Sequence, residues 1–124
     1  MIKPISFGYK SILKTQYKNG LLPSVKVDIY GKKLTPKTAT IEHIIPKSSG
    51  GKSNLSNYAL ANAQDNMKRG SDSILKHTTI ENIKKWLDQF NGVKNDGFNG
   101  DEYIKNFKKN LKKINIEVWL WVDF

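Results

Sequence analysis

The 124-residue chain has no cysteine, so disulfides and thiolate-bound metal sites are excluded and a reducing compartment is compatible. Long hydrophobic runs are missing as well. No stretch approaches the roughly 20 apolar residues that a bilayer crossing takes, and Met1 to Gly20 lacks an apolar run of the length found in secretory leaders. A soluble, cytoplasmic protein without a membrane partner is the expectation. Negative charge is scarce: eleven Asp and Glu stand against twenty-one Lys and Arg, a formal net charge of +10. Such an imbalance favours a polyanionic partner, nucleic acid before an anionic membrane. The plainer alternative is a general Lys/Asn/Ile bias that only keeps the chain soluble.

The length suits one domain, 1–124, with a motif core at about 27–72 and a helical, then extended, part at 73–124. Ile12, Leu13 and Tyr17 stand at helical spacing before Asn19-Gly20, which predicts a short first helix. Val25, Val27 and Ile29 alternate with Lys26 and Asp28, a strand pattern turned by Gly31-Lys32-Lys33. Ala39 to Ile45 predicts a second strand ended by Pro46, and Lys47 to Ser56 a loop. Asn57 to Ala61 is a short apolar segment. A compact helix follows to Gly70, with Asn62 as N-cap and Asp65 in the place of a capping-box acid. Thr79 caps a helix whose stripe is Ile80, Ile83, Trp86, Leu87 and Phe90. Val93 to Gly100 reads as a loop, and Asp101 as the cap of a last helix with Ile104, Phe107 and Leu111 inside. The apolar run Val118 to Val122 is expected to be a buried strand or a subunit contact.

Thr40 to Asp72 is the stretch that carries chemistry. Glu42 and His43 put a carboxylate beside a base at a strand end, and the following helix adds Asn66, a neutral oxygen ligand, then Lys68 and Arg69. Hard oxygen donors suit Mg²⁺ or Mn²⁺ better than Zn²⁺, and Mg²⁺ often takes only one or two protein ligands plus substrate phosphate. A neutral histidine can take a proton from water at neutral pH.

Glu42-His43-Ile44-Ile45-Pro46, Ser49-Gly50-Gly51, Asn57-Tyr58-Ala59-Leu60 and Asn66 with Lys68-Arg69-Gly70 together resemble the HNH, or ββα-metal, nucleases over about a third of the chain, from Val27 to Gly70. The resemblance implies an α+β fold, a ββα-metal core with flanking helices. It implies a phosphodiester hydrolase acting on DNA, expected to be duplex, by nicking or double-strand cleavage. His43 would be the general base. Asn57 joins it in the catalytic set by positioning the histidine or its loop. Glu42 and Asn66 would hold one Mg²⁺ or Mn²⁺. Lys47, Lys52, Lys68 and Arg69 in the core, and Lys105, Lys108, Lys109 and Lys112 on the last helix, are the candidate phosphate contacts, which position DNA without reading sequence.

Three departures from the family pattern stand out. The last motif position is Asn66 rather than His, an HNN variant, and the positions where many relatives hold zinc by two Cys pairs are Val27, Tyr30, Asn62 and Asp65. No structural zinc is expected. Apolar packing by Val27 and Tyr30, and a helix cap by Asn62 and Asp65, would replace it. The first position is Glu42, where Asp is commoner. Taken singly, a Glu-His pair is usually a solvated surface pair and a lysine-rich helix a solvated face; it is the ordered combination that is specific. His77 is expected to be exposed, with a phosphate contact as the weaker reading. Trp86, Trp119 and Trp121 favour packing over base stacking. The rivals are an inactive, basic DNA-binding module, an RNA-cleaving or toxin nuclease, and a basic interaction protein with a coincidental motif. A homodimer through Val118–Val122 would convert nicks into breaks.

Overall fold

A computed structural model of the chain describes residues 8–46, 50–51 and 55–113. The elements run α1 (Gly8–Lys18), β1 (Ala39–His43), a 3-10 turn (Leu55–Asn57), β2 (Tyr58–Asn62), α2 (Ala63–Arg69), a second 3-10 turn (Ile74–Lys76), α3 (Ile80–Asp88), β3 (Lys94–Asn95), β4 (Phe98–Asn99) and α4 (Gly100–Lys112). The fold is α+β: an antiparallel hairpin followed directly by a helix, with three more helices around it. The expected strand at Val118–Val122, with Trp119 and Trp121, lies outside the described residues.

β1 and β2 pair with Ala39 opposite Asn62 and His43 opposite Tyr58. Bonds from Ala63 N to Thr38 O at 3.1 Å and from Ile44 N to Asn57 O at 2.9 Å mark which residues face the partner strand. By the alternation of antiparallel pairing, the backbone groups of Ile41 and His43 then turn outward, away from β2. A hairpin alone is marginal, so its neighbours matter. Tyr58, Ala59, Leu60 and Ala61 are all buried, which places β2 inside the molecule.

The core that covers β2 is aromatic. Trp86 and Phe90 of the α3 region stack edge-on at 4.8 Å, and Phe90 meets Tyr103 of α4 at 4.9 Å. Trp86 Nε1 donates to the Tyr103 hydroxyl at 3.1 Å, and that hydroxyl donates to the Tyr58 carbonyl of β2. Both polar tips of this cluster are thus satisfied in the interior, as buried Tyr and Trp require. Trp86 is fully buried, so it packs and does not stack on bases.

Several local expectations change. Val25–Ile29 is not a strand; only an isolated bridge joins Val27 to Lys33. Its backbone is claimed elsewhere. Gln89 Oε1 accepts from Lys26 N at 2.6 Å and Val27 N at 2.9 Å, and Gln89 Nε2 donates to Val27 O at 3.1 Å. Asp28 then folds the chain back, accepting from Tyr30 N and Lys32 N at 2.9 Å each. β1 stops at His43, two residues early, because side chains take over the backbone of Ile44 and Ile45. Thr79 caps α3 as expected, accepting from Asn82 N at 3.0 Å. The cap of α4 is Asn99, accepting from Glu102 N at 3.0 Å; Asp101 instead accepts from Gly92 N at 3.1 Å. The expected loop at 93–100 contains the small β3–β4 hairpin, turned at Asp96-Gly97 with Gly97 at φ 86°.

Candidate active site

The site sits where β1 ends and α2 crosses it. Thr40 and Glu42 share one face of β1, while Ile41 and His43 share the other. The Glu42 side chain points inward and is 3% exposed. Its Oε2 accepts from the Tyr30 hydroxyl, and its Oε1 lies 3.1 Å from Arg69 Nη1. Burial holds the Glu42 carboxyl above its ordinary value, and the Tyr30 hydroxyl and the Arg69 guanidinium offset only part of that rise.

His43 is half-buried, and its ring meets Tyr58 edge-on at 4.9 Å between centroids. The segment after it is held by Asn57, whose Oδ1 accepts from Ile45 N at 2.8 Å and whose Nδ2 donates to Ile45 O at 3.0 Å. This two-point grip fixes the backbone of Ile45, two residues beyond the histidine, through the peptides on either side of its Cα. Gly51 closes the same turn, donating to Pro46 O at 2.9 Å; a Cβ there would meet Ile45 O at 1.7 Å, so no other residue fits without moving the loop.

Asn66 reaches β1 from α2. Its Nδ2 donates to Ile41 O at 2.9 Å and to Thr40 Oγ1 at 3.2 Å. Two acceptors around one end of the amide define its orientation. Oδ1 is thereby turned away from the strand and takes no hydrogen bond among the described residues.

Arg69, three residues on, does not face solvent. It is 2% exposed, its Nη1 donates to His43 O, its Nη2 to Ile44 O at 3.0 Å and its Nε to Asp72 O at 2.7 Å. The expectation that Arg69 contacts phosphate does not fit this burial, because every edge of the guanidinium is already turned to the protein. Lys68 is exposed, as are Lys105 and Lys109, while Lys108 and Lys112 are half-buried on the same helix. Those four α4 lysines, with Asp101 and Ile104, line one shallow depression. Lys47 and Lys52 lie outside the described residues. α4 is tied to the turn before β2 through Asn110 Nδ2, which donates to Ser56 O at 2.8 Å. His77 is exposed and lies 2.9 Å from Asp72.

Of the four positions set against the family's zinc pairs, Val27, Tyr30, Asn62 and Asp65, only Asn62 enters a polar clasp, centred on Asp28. Asn62 occupies the N-cap position of α2, but its side chain makes no cap bond. It donates instead to Asp28 Oδ2 at 3.2 Å and Lys33 O at 3.1 Å, and it accepts from the Thr38 hydroxyl at 2.7 Å. Asp65 pairs with Lys32 at 2.9 Å rather than capping. Tyr30 packs as expected but also bonds Glu42. Sequence reasoning missed Asp28, the centre of the clasp, and Gln89. An aspartate just ahead of the expected Gly31-Lys32-Lys33 turn is the one local signal for Asp28, since Asx side chains fold turns by accepting nearby backbone N–H groups.

Among the described residues no three His, Cys, Asp or Glu side chains group as a metal site. A hard cation that keeps most of its waters needs fewer. The donors present fit such a cation in kind: the open Asn66 Oδ1 and the oxygens of the Glu42 carboxylate, which also serve Tyr30 and Arg69.

A family model described as HNH endonuclease matches residues 30–72. No curated protein and no solved structure matches the chain. The match begins at Tyr30 and ends at Asp72, and so encloses the hairpin, its glycine turn, α2, and Tyr30, Glu42, His43, Asn57, Asn66 and Arg69, but neither Asp28 nor Gln89. Residues 30–72 are thus similar to the HNH endonuclease family over about a third of the chain, and the matched segment contains Glu42, His43, Asn57 and Asn66 and no cysteine.

Proposed function

We propose that the protein is a metal-dependent HNH endonuclease that hydrolyses phosphodiester bonds in DNA, acting in the cytoplasm on duplex substrate. The observation that carries this reading is the Asn66 amide. Its nitrogen is tied to Thr40 and Ile41, which leaves its oxygen open on the helix beside the strand that carries Glu42 and His43. Asn66 and Glu42 would hold one Mg²⁺ or Mn²⁺. When bound, that cation neutralises charge on the scissile phosphate and the departing oxygen.

The chain's own residues supply the remaining parts. Neutral His43 takes a proton from a water whose oxygen attacks phosphorus, and the P–O3′ bond breaks to give 5′-phosphate and 3′-hydroxyl ends. Asn57 holds the Ile45 peptide, and with it the turn that leaves His43. Lys68, the α4 lysines, Lys47 and Lys52 attract and align the phosphate backbone without reading sequence. One such centre cuts one strand, so a monomer nicks and a homodimer breaks both strands.

Cleavage of supercoiled plasmid with Mg²⁺ or Mn²⁺ tests the reading, with EDTA and His43→Ala as controls. Open-circle or linear product that vanishes in both controls supports it. A second reading, an inactive DNA-binding module, draws on the occupied state of Glu42, which already serves Tyr30 and Arg69. It predicts salt-sensitive DNA binding and no cleavage by folded wild type with any divalent cation.

A further inference from the structure

We infer that Arg69 is a positioning residue for His43, an inference that rests on the nuclease reading above. β1 has a free outer edge, and two of its outward groups, the carbonyls of Ile41 and His43, would lack strand partners. α2 supplies them from side chains one turn apart: Asn66 Nδ2 to Ile41 O, and Arg69 Nη1 to His43 O. Arg69 goes further than its neighbour. Its second Nη binds the Ile44 carbonyl and its Nε binds Asp72 O, so one rigid plane grips the peptides on both sides of the Ile44 Cα and ties them to the end of α2.

The guanidinium is itself held. Glu42 sits against Nη1 at 3.1 Å, and the Tyr30 hydroxyl binds the other carboxylate oxygen. Tyr30, Glu42 and Arg69 are all buried. His43 is thus fixed from two directions. Asn57 clamps the peptide after it, and Arg69 clamps its own carbonyl. A lysine in place of Arg69 keeps the charge but cannot span two carbonyls and a carboxylate with one planar fork. A misplacement on the order of 1 Å at a reacting group costs about 100-fold in rate, so a slackened grip is read in kcat.

The test uses the full chain as wild type, Arg69→Lys and Tyr30→Phe. Plasmid cleavage with Mn²⁺ gives kcat, KM and the salt dependence of KM, and NMR follows the His43 ring resonances without any substrate. Expected for Arg69→Lys are a kcat lower by about 10- to 100-fold, KM and salt slope as in wild type, and displaced His43 resonances. Tyr30→Phe, which removes one hydroxyl, moves kcat and the resonances the same way by less. The inference is overturned if Arg69→Lys keeps kcat while KM rises and the salt slope falls by about 0.9, the signature of a lost phosphate contact. Unmoved His43 resonances overturn it as well. If Arg69→Lys does not fold, Tyr30→Phe decides by the same two readouts. A wild type that cuts nothing sinks the nuclease reading alone, and the ring resonances still decide the positioning.

Discussion

Asp28 and Asn62, thirty-four residues apart, are joined twice: Asp28 Oδ2 accepts from the Asn62 backbone nitrogen at 3.0 Å and from its side-chain nitrogen at 3.2 Å. The other oxygen, Oδ1, folds the turn through Tyr30 N and Lys32 N. One fully buried carboxylate therefore fastens the entry loop to the start of α2 with four acceptor contacts.

Replacement of Asp28 by alanine strands those donors in the interior. A buried donor left unsatisfied costs about 1–3 kcal/mol, so Asp28→Ala is expected to lose at least about 2 kcal/mol in urea unfolding, with Asp28→Asn in between. EDTA at pH 7 should leave wild-type thermal unfolding unchanged in the absence of added metal. A Tm that drops with chelator alone would mean that a tightly held metal supports this fold.

Asn66 offers a pair of substitutions with opposite signs. Asn66→Ala removes both the open oxygen and the bond to Ile41 O. Cleavage should fall by about 100-fold or more and Mn²⁺ affinity by at least about 10-fold. Asn66→Asp keeps an oxygen and adds charge, so Mn²⁺ should bind more tightly. It also sets a carboxylate oxygen against the Ile41 carbonyl, and the fold should weaken by about 1–3 kcal/mol. Calorimetric titration with Mn²⁺ and urea unfolding read the two effects separately. Equal Mn²⁺ affinity in all three proteins would remove Asn66 from the metal site.

The α4 lysines are assigned by salt dependence. Lys105 and Lys109 are exposed on the face that lines the depression. If each neutralises one phosphate, the double change to glutamine lowers the slope of log K against log salt by about 1.8. Single-turnover cleavage at saturating enzyme should not change. An unchanged slope would return these lysines to a plain solvated face.

Alkaline stability follows from the buried phenols. Burial raises Tyr17, Tyr30 and Tyr103 above the ordinary tyrosine value, and for Tyr30 the Glu42 carboxylate adds to the effect. The folded state then holds protons that the unfolded chain releases near pH 10. Stability from these groups is full below pH 10 and is lost as pH rises beyond it. Absorbance at 295 nm should show part of the tyrosines ionising only together with unfolding. Smooth ionisation of all of them in a folded protein would contradict the burial.

Much of the site was legible because its signals are local. The acid-His pair at a strand end, the helix bounded by Asn62 and Gly70, and the Thr79 cap each depend on neighbours within one turn. Arg69 was misread for the converse reason. Beside Lys68 it looks like half of a surface cation pair, and its burial depends on Tyr30, Glu42 and the carbonyls of His43 and Ile44, all at least 25 residues away. Val25–Ile29 failed similarly. Its alternation is real, but Gln89, more than 60 residues downstream, meets the backbone groups that a partner strand would have bound. Asn62 fills its predicted position with an unpredicted task, since a side-chain amide at a helix start goes to whichever buried partner is nearest, here Asp28.

Both margins of the hairpin are partly sealed. On the β1 side the outward carbonyls of Ile41 and His43 are taken by Asn66 and Arg69; on the β2 side Leu60 O accepts from Ile29 N at 3.1 Å and Asn62 N donates to Asp28. An unsealed edge is a template for another chain's strand. The acceptors that a further strand would need along β1 are already occupied, so strand addition at this edge is disfavoured by the same two side chains, Asn66 and Arg69, that shape the site.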